Sequence, residues 1–158
     1  MWRRRVAATL AVAAVAGLAA GCGGGGSARL TKAQYEQRVQ TDGKALTQVT
    51  SAISSGVTSP ASLKTALANA QKAIGKAADD LGSLAPPVEA EAANAAFVKA
   101  LRAIDSQLGQ IGDALAKGDM TAVLADVEKL GSSKEVAAAK AAAKQLKALG
   151  YKLGALGG

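Results

Sequence analysis

The sequence predicts an all-α protein whose mature part is an antiparallel four-helix bundle. Three observations carry this expectation. Leucine, isoleucine and valine recur at alternating spacings of four and three residues over long stretches, the period of a packed helix seam. Runs of β-branched or aromatic residues, which strands need, are nearly absent. Short Pro, Gly and Ser breaks divide the periodic stretches. The chain has 158 residues and is 49% hydrophobic, mostly through alanine, with only Trp2, Tyr35, Phe97 and Tyr151 aromatic. A core of Ala, Leu, Val and Ile lets helices approach closely and leaves little room for a deep aromatic pocket.

Taken in chain order, residues 1–21 read as an export signal. Arg3, Arg4 and Arg5 form a positive start, and Val6 to Ala20 is an uncharged, mostly apolar run of 15 residues. A permanent span needs about 20 apolar residues, so this run has the length of a signal core. Small residues then lead into the only cysteine, in Leu18-Ala19-Ala20-Gly21-Cys22. Gly23 to Gly26 and Ser27 follow as a flexible tether, and from Cys22 to Leu30 its root-mean-square reach is roughly 15 Å.

The first helix opens at Thr31, where Thr31-x-x-Gln34 matches a capping box. Tyr35, Val39, Leu46, Val49 and Ile53 form its apolar stripe, interrupted by Asp42, and Gly56 ends it. Ser59-Pro60 starts the second helix, with a hydroxyl cap and proline in the first turn. Leu63, Leu67, Ala70, Ile74, Ala77, Leu81 and Leu84 give it a heptad seam. Pro86-Pro87 breaks the chain before the third helix, whose seam is Phe97, Leu101, Ile104, Leu108, Ile111 and Leu115. Asp119 caps the fourth, which carries Met120, Val123, Val127 and Leu130. Gly131-Ser132-Ser133 then either bends this helix or restarts it, with Ser132-x-x-Glu135 as a second capping-box match. Val136, Ala139, Ala143, Leu146 and Leu149 continue the stripe. The expected organisation is signal 1–21, lipidated cysteine and tether 22–30, bundle 31–149 and a glycine-rich tail 150–158 that frays. Short loops make neighbours antiparallel, and sustained heptads favour crossing near 20°. The alternative is a three-helix bundle with the last helix packed loosely.

The stretch around Cys22 resembles the lipobox of bacterial lipoproteins. That resemblance implies cleavage between Gly21 and Cys22 and a diacylglyceryl group on the Cys22 thiol. The leucine preferred three residues before the cysteine sits four before it, with Ala19 in its place. The competing expectation is an ordinary signal peptide, with Cys22 incidental. Leu30-Thr31-Lys32-Ala33-Gln34-Tyr35 after the tether and Leu84-Ala85-Pro86-Pro87 before a helix resemble small helical lipoproteins of high-GC, actinobacterial-type bacteria. Many of those have no assigned activity, so this resemblance implies fold and address rather than reaction.

Charge narrows the partners. The full chain carries 19 basic and 12 acidic residues; without the three signal arginines the balance is 16 against 12, or +4. That is weak for a nucleic-acid binder, and none is expected. Residues 129–158 are more basic, with six lysines against Glu135 alone. Lys140, Lys144 and Lys147 fall on one helical face there. They offer a contact for anionic lipid or an acidic envelope polymer, or simply a solvated face that complements a helix C-terminus.

Chemistry is scarce. There is no histidine, and Cys22 is expected to be blocked, so Ser-His-Asp and Cys-His sites cannot be built. Ser132, Ser133 and Lys134 are adjacent but read as a cap. Asp79-Asp80 with Glu89 and Glu91 lack a calcium-loop pattern and read as surface charge. Asp105 and Asp113, eight residues apart on one helix, are roughly 12 Å apart and too distant to cooperate. No cofactor, metal or catalytic residue is expected. The sequence therefore points to a non-catalytic envelope module working by protein contact at the membrane. A carrier of a hydrophobic ligand between helices, lined by Ala66, Ala70, Ala92 and Ala96, is the second reading, and an enzyme with an unrecognised site the third.

Overall fold

The computed structural model describes residues 28–56 and 59–157. Among the described residues, five α-helices make an all-α four-helix bundle: α1 (Lys32–Gly56), α2 (Pro60–Ser83), α3 (Glu91–Ala116), α4 (Met120–Gly131) and α5 (Lys134–Ala148). The last two share the fourth position. The signal segment, Gly21 and Cys22 lie outside the described residues. So do the side chains of Val49 and Ile53 in α1.

Helix starts follow local chemistry. The Thr31 amide donates to Gln34 Oε1 at 2.9 Å, and the Gln34 amide donates to Thr31 Oγ1 at 3.3 Å, a reciprocal box. At α2 the Ser62 amide donates to Ser59 Oγ, the Ser59 amide donates to Ser62 Oγ, and Pro60 occupies the first turn. Pro86 and Pro87 hold the next connection extended. A short 3-10 turn, Val88–Ala90, then feeds α3. Gly118 closes α3 in the left-handed region at φ 75°, where a side chain would be strained. Asp119 Oδ1 accepts from the Ala122 amide to start α4.

The seams of α2 and α3 form the interior. One apolar cluster joins Tyr35, Val39, Leu81, Phe97, Leu101, Leu146 and Tyr151 near the start of α1. A second joins Leu63, Leu67, Leu108, Ile111 and Val123 at the opposite end, and Ile74 and Ala139 touch both. Because Val123, Ala142 and Leu146 are all buried, the last segment is part of the bundle rather than loosely attached. Val127 and Leu149, expected in the stripe, are exposed instead: Leu149 stands just past the end of α5, and Val127 lies on a side of α4 that no neighbouring helix covers.

Three sequence expectations are corrected. First, the chain restarts at Gly131-Ser133, but Ser133, not Ser132, is the cap, accepting from the Val136 amide at 3.2 Å. Ser132 Oγ instead donates to backbone carbonyls of the preceding turn. With Ser133 as the cap, Glu135 stands one position short of a capping-box partner, and its carboxylate accepts from Gln107 Nε2 on α3 at 2.9 Å.

Second, the tail does not fray. Tyr151 and Leu153 are each 3% exposed. Gly150, at φ 79°, turns the chain back over α1, where Gln40 Nε2 donates to the Lys152 carbonyl and the Lys152 amide donates to Glu36 Oε1. A β-carbon on Gly43 would lie 2.7 Å from Leu156 Cγ, so that glycine makes room for the tail. Glycine here permits close approach, the physical opposite of looseness. Third, the tether ends sooner than Leu30: the Leu30 amide donates to the Ala85 carbonyl at 2.8 Å, fastening residues 29 and 30 to the α2–α3 connection.

Candidate functional site at the tether end of the bundle

The chain enters the bundle beside the α2–α3 connection. Arg29 Nη1 donates to the Pro86 carbonyl at 3.0 Å and pairs with Glu91 at 2.9 Å. The prolines matter here, because a chain held extended leaves its carbonyls free of helix bonds and available to Arg29 and Leu30.

Beneath this entry lies a polar bridge inside the core. Asn94 is 5% exposed; its Oδ1 accepts from Tyr35 Oη at 2.8 Å and its Nδ2 donates to the Leu81 carbonyl at 3.1 Å. The bridge ties α1, α2 and α3 together and satisfies each buried polar group. Burial pushes the Tyr35 phenol well above its ordinary range. Tyr151 meets Tyr35 edge to face with ring centroids 5.4 Å apart, and Lys32 Nζ stands 4.8 Å from the Tyr151 ring centroid. Tyr151 Oη donates to Glu89 Oε1 at 2.9 Å. Burial and then this carboxylate push the Tyr151 phenol up to about 12. The Glu89 carboxyl is held below its usual range, first by its own backbone amide and then by Tyr151.

Two grooves flank α2. The groove against α1, about 610 Å³, is lined by Arg38, Asp42, Lys72, Lys76 and Asp80 among others. Partial burial raises the Asp42 carboxyl above its ordinary range, Asp80 adds to the rise, and Lys76 and Arg38 oppose it. Lys76 is hydrogen-bonded to Asp80, which raises the ammonium in turn. The groove against α3, about 590 Å³, is lined by Arg29, Lys99, Arg102 and a single carboxylate, Glu91.

The residues singled out from the sequence are scattered. Lys140, Lys144 and Lys147 are exposed along α5, with Lys147 in its last turn, where a cation complements the helix dipole. Asp105 is half-buried with one oxygen lacking a protein partner, while Asp113 is exposed, so the two share no cleft. Asp79 reaches Arg102, Asp80 Lys76, Glu89 Tyr151 and Glu91 Arg29; among the described residues no three acidic or thiol ligands converge. Ala70 is packed in the core, but Ala92 and Ala96 are exposed and line no interior cavity. No described helix is long and apolar enough to cross a membrane.

What sequence reasoning passed over is the entry cluster of Arg29, Glu91, Lys99 and Arg102. Its only trace is the pair Lys99 and Arg102 three apart on α3, off the apolar seam, together with Gly82 on α2. No protein-family model, curated protein or solved structure matches the chain.

Proposed function

We propose that the chain is an exported lipoprotein, cut between Gly21 and Cys22 and held on the extracytoplasmic side of the cell membrane by lipid on Cys22. Its bundle then works without catalysis, as a protein-interaction or scaffold module of the cell envelope. The observation that supports this is bare apolar surface. Val88 and Leu149 are exposed at the end where the chain enters, beside Arg29 and Leu30, and at the other end α4 exposes a pair of its own, Leu124 at 65% and Val127 at 36%. With Val123 inward, these two lie on the outer flank of an apolar arc wider than the contact α4 makes. A tether at one end leaves the other facing the envelope space, where an apolar edge can dock a protein. Lys140, Lys144 and Lys147 add a basic strip along α5 suited to anionic lipid or an acidic envelope polymer.

The carrier reading draws less support. Both grooves exceed the ~300 Å³ that a small ligand needs, but charged side chains line them, and the heptad positions between helices are filled. The test is native mass spectrometry of the protein extracted gently from its own membranes, parent beside a Leu124→Ser/Val127→Ser variant. The expected result is a lipidated chain that keeps a protein partner, lost in the variant. A partner kept equally by both, or a bound hydrophobic small molecule in its place, would count against the scaffold.

A further inference from the structure

The α2–α3 groove has the chemistry of an anion site. Three of its lining residues are cations, and its one carboxylate, Glu91, is engaged by Arg29. Arg102 is held only loosely, 3.7 Å from Asp79, and among the described residues Lys99 has no ion-pair partner. Gly82 lies under the Arg102 guanidinium: a β-carbon there would come within 3.3 Å of Nη2 and 3.4 Å of Val98 Cγ1. The cations therefore stand beside carbon contributed by Pro86, Ala95 and Val98.

Chain length decides what meets this groove. Arg29, at the rim, is seven residues from Cys22, and the intervening run is four glycines followed by Ser27 and Ala28. Its root-mean-square span is roughly 15 Å. A lipid on Cys22 would hold the groove within reach of the headgroup layer, where anionic lipids attract Lys and Arg and the attraction fades beyond a Debye length of about 8 Å.

We infer that this groove takes the phosphate headgroup of an anionic phospholipid in the membrane to which the chain is tethered. Arg102 offers its planar fork to two phosphate oxygens, Lys99 adds a point charge, and the glycerol carbons rest on Val98 and Ala95. The contact would fix the orientation of the bundle, turning α4 away from the bilayer. This inference rests on lipid attachment at Cys22, and its site is distinct from Lys140, Lys144 and Lys147.

The mature chain would have no tryptophan, because Trp2 lies in the signal, so one introduced residue reports alone. Protein carrying Ala92→Trp on the exposed face of α3 beside the groove, or Thr121→Trp on α4, is reconstituted in phosphatidylcholine vesicles with and without phosphatidylglycerol, each holding headgroup spin-labelled lipid. Fluorescence of the Ala92→Trp protein should be quenched when phosphatidylglycerol is present, and that of the Thr121→Trp protein should not. Adding Lys99→Gln and Arg102→Gln should weaken the contact about 25-fold, at about fivefold per cation near an anionic surface. Millimolar inorganic phosphate at constant ionic strength should leave it intact. Equal quenching in both vesicles, no effect of the double substitution, or displacement by free phosphate would each overturn the headgroup assignment. A mass spectrum of the same sample separates the premise. If Cys22 carries no lipid the anchoring fails, and titration of that unanchored protein with phosphatidylglycerol vesicles then decides the groove, by quenching that the double substitution removes or by none.

Discussion

Replacing Tyr151 by alanine tests whether the glycine-rich tail is part of the folded core. The ring is 3% exposed, packs edge to face on Tyr35 and lies in the same cluster as Leu81, Phe97 and Leu146. Large-to-small changes at buried aromatics cost about 3–5 kcal/mol, through lost transfer energy and the cavity left behind. Here the lower half of that range applies, about 3–4 kcal/mol, because a tail at the chain end can relax toward the hole. Against a typical total of about 5–15 kcal/mol this is a large share. For a folded part of this size it corresponds to a fall in Tm of about 10–15 °C. Thermal unfolding followed by far-UV circular dichroism reads it directly. Tyr151→Phe keeps the ring and loses only the bond to Glu89, so its fall should be much smaller. A Tm within about 2 °C of the parent for Tyr151→Ala would refute the docked tail and restore the frayed one.

Three further outcomes follow from the same contacts. Asn94→Ala strands Tyr35 Oη in the core and leaves the Leu81 carbonyl only the bond from the Leu84 amide, and should cost about 2–4 kcal/mol by urea denaturation. Ser133→Ala should cost about 1 kcal/mol and Ser132→Ala close to nothing, because only Ser133 caps α5; equal effects would move the cap. Asp42→Asn should raise Tm at neutral pH. A carboxyl whose folded value lies above its unfolded one, about 3.9, favours the fold when protonated and loses that benefit as pH rises through the window above it. The gain should therefore vanish below about pH 4, and a lower Tm at neutral pH would show that Lys76 and Arg38 hold the charged form.

How much was legible depended on whether the signal was local. The heptads of α2 and α3 stated their own burial, and Thr31, Ser59 and Asp119 announced helix starts, because a cap needs only residues within one turn. Ser132 and Ser133 stand side by side, and the choice between them depends on where the preceding turn ends and on a contact outside it, Glu135 with Gln107 across the interface. The tail was misread for a related reason. Glycine in sequence signals conformational freedom, but Gly43 and Gly150 use it for close packing and a turn, and both depend on contacts more than a hundred residues apart along the chain. The entry cluster was invisible because Arg29 and Glu91 are brought together only by the α2–α3 connection. Val127 and Leu149 carried the right period and still stand exposed, since periodicity places a residue on a face but does not supply a neighbour.

The central claim is attachment at Cys22, and the mature mass tests it most directly. Protein extracted from its own membranes should begin at Cys22, lack residues 1–21 and carry the added mass of a diacylglyceryl group on that cysteine. An unmodified N-terminus at any other position would contradict the account.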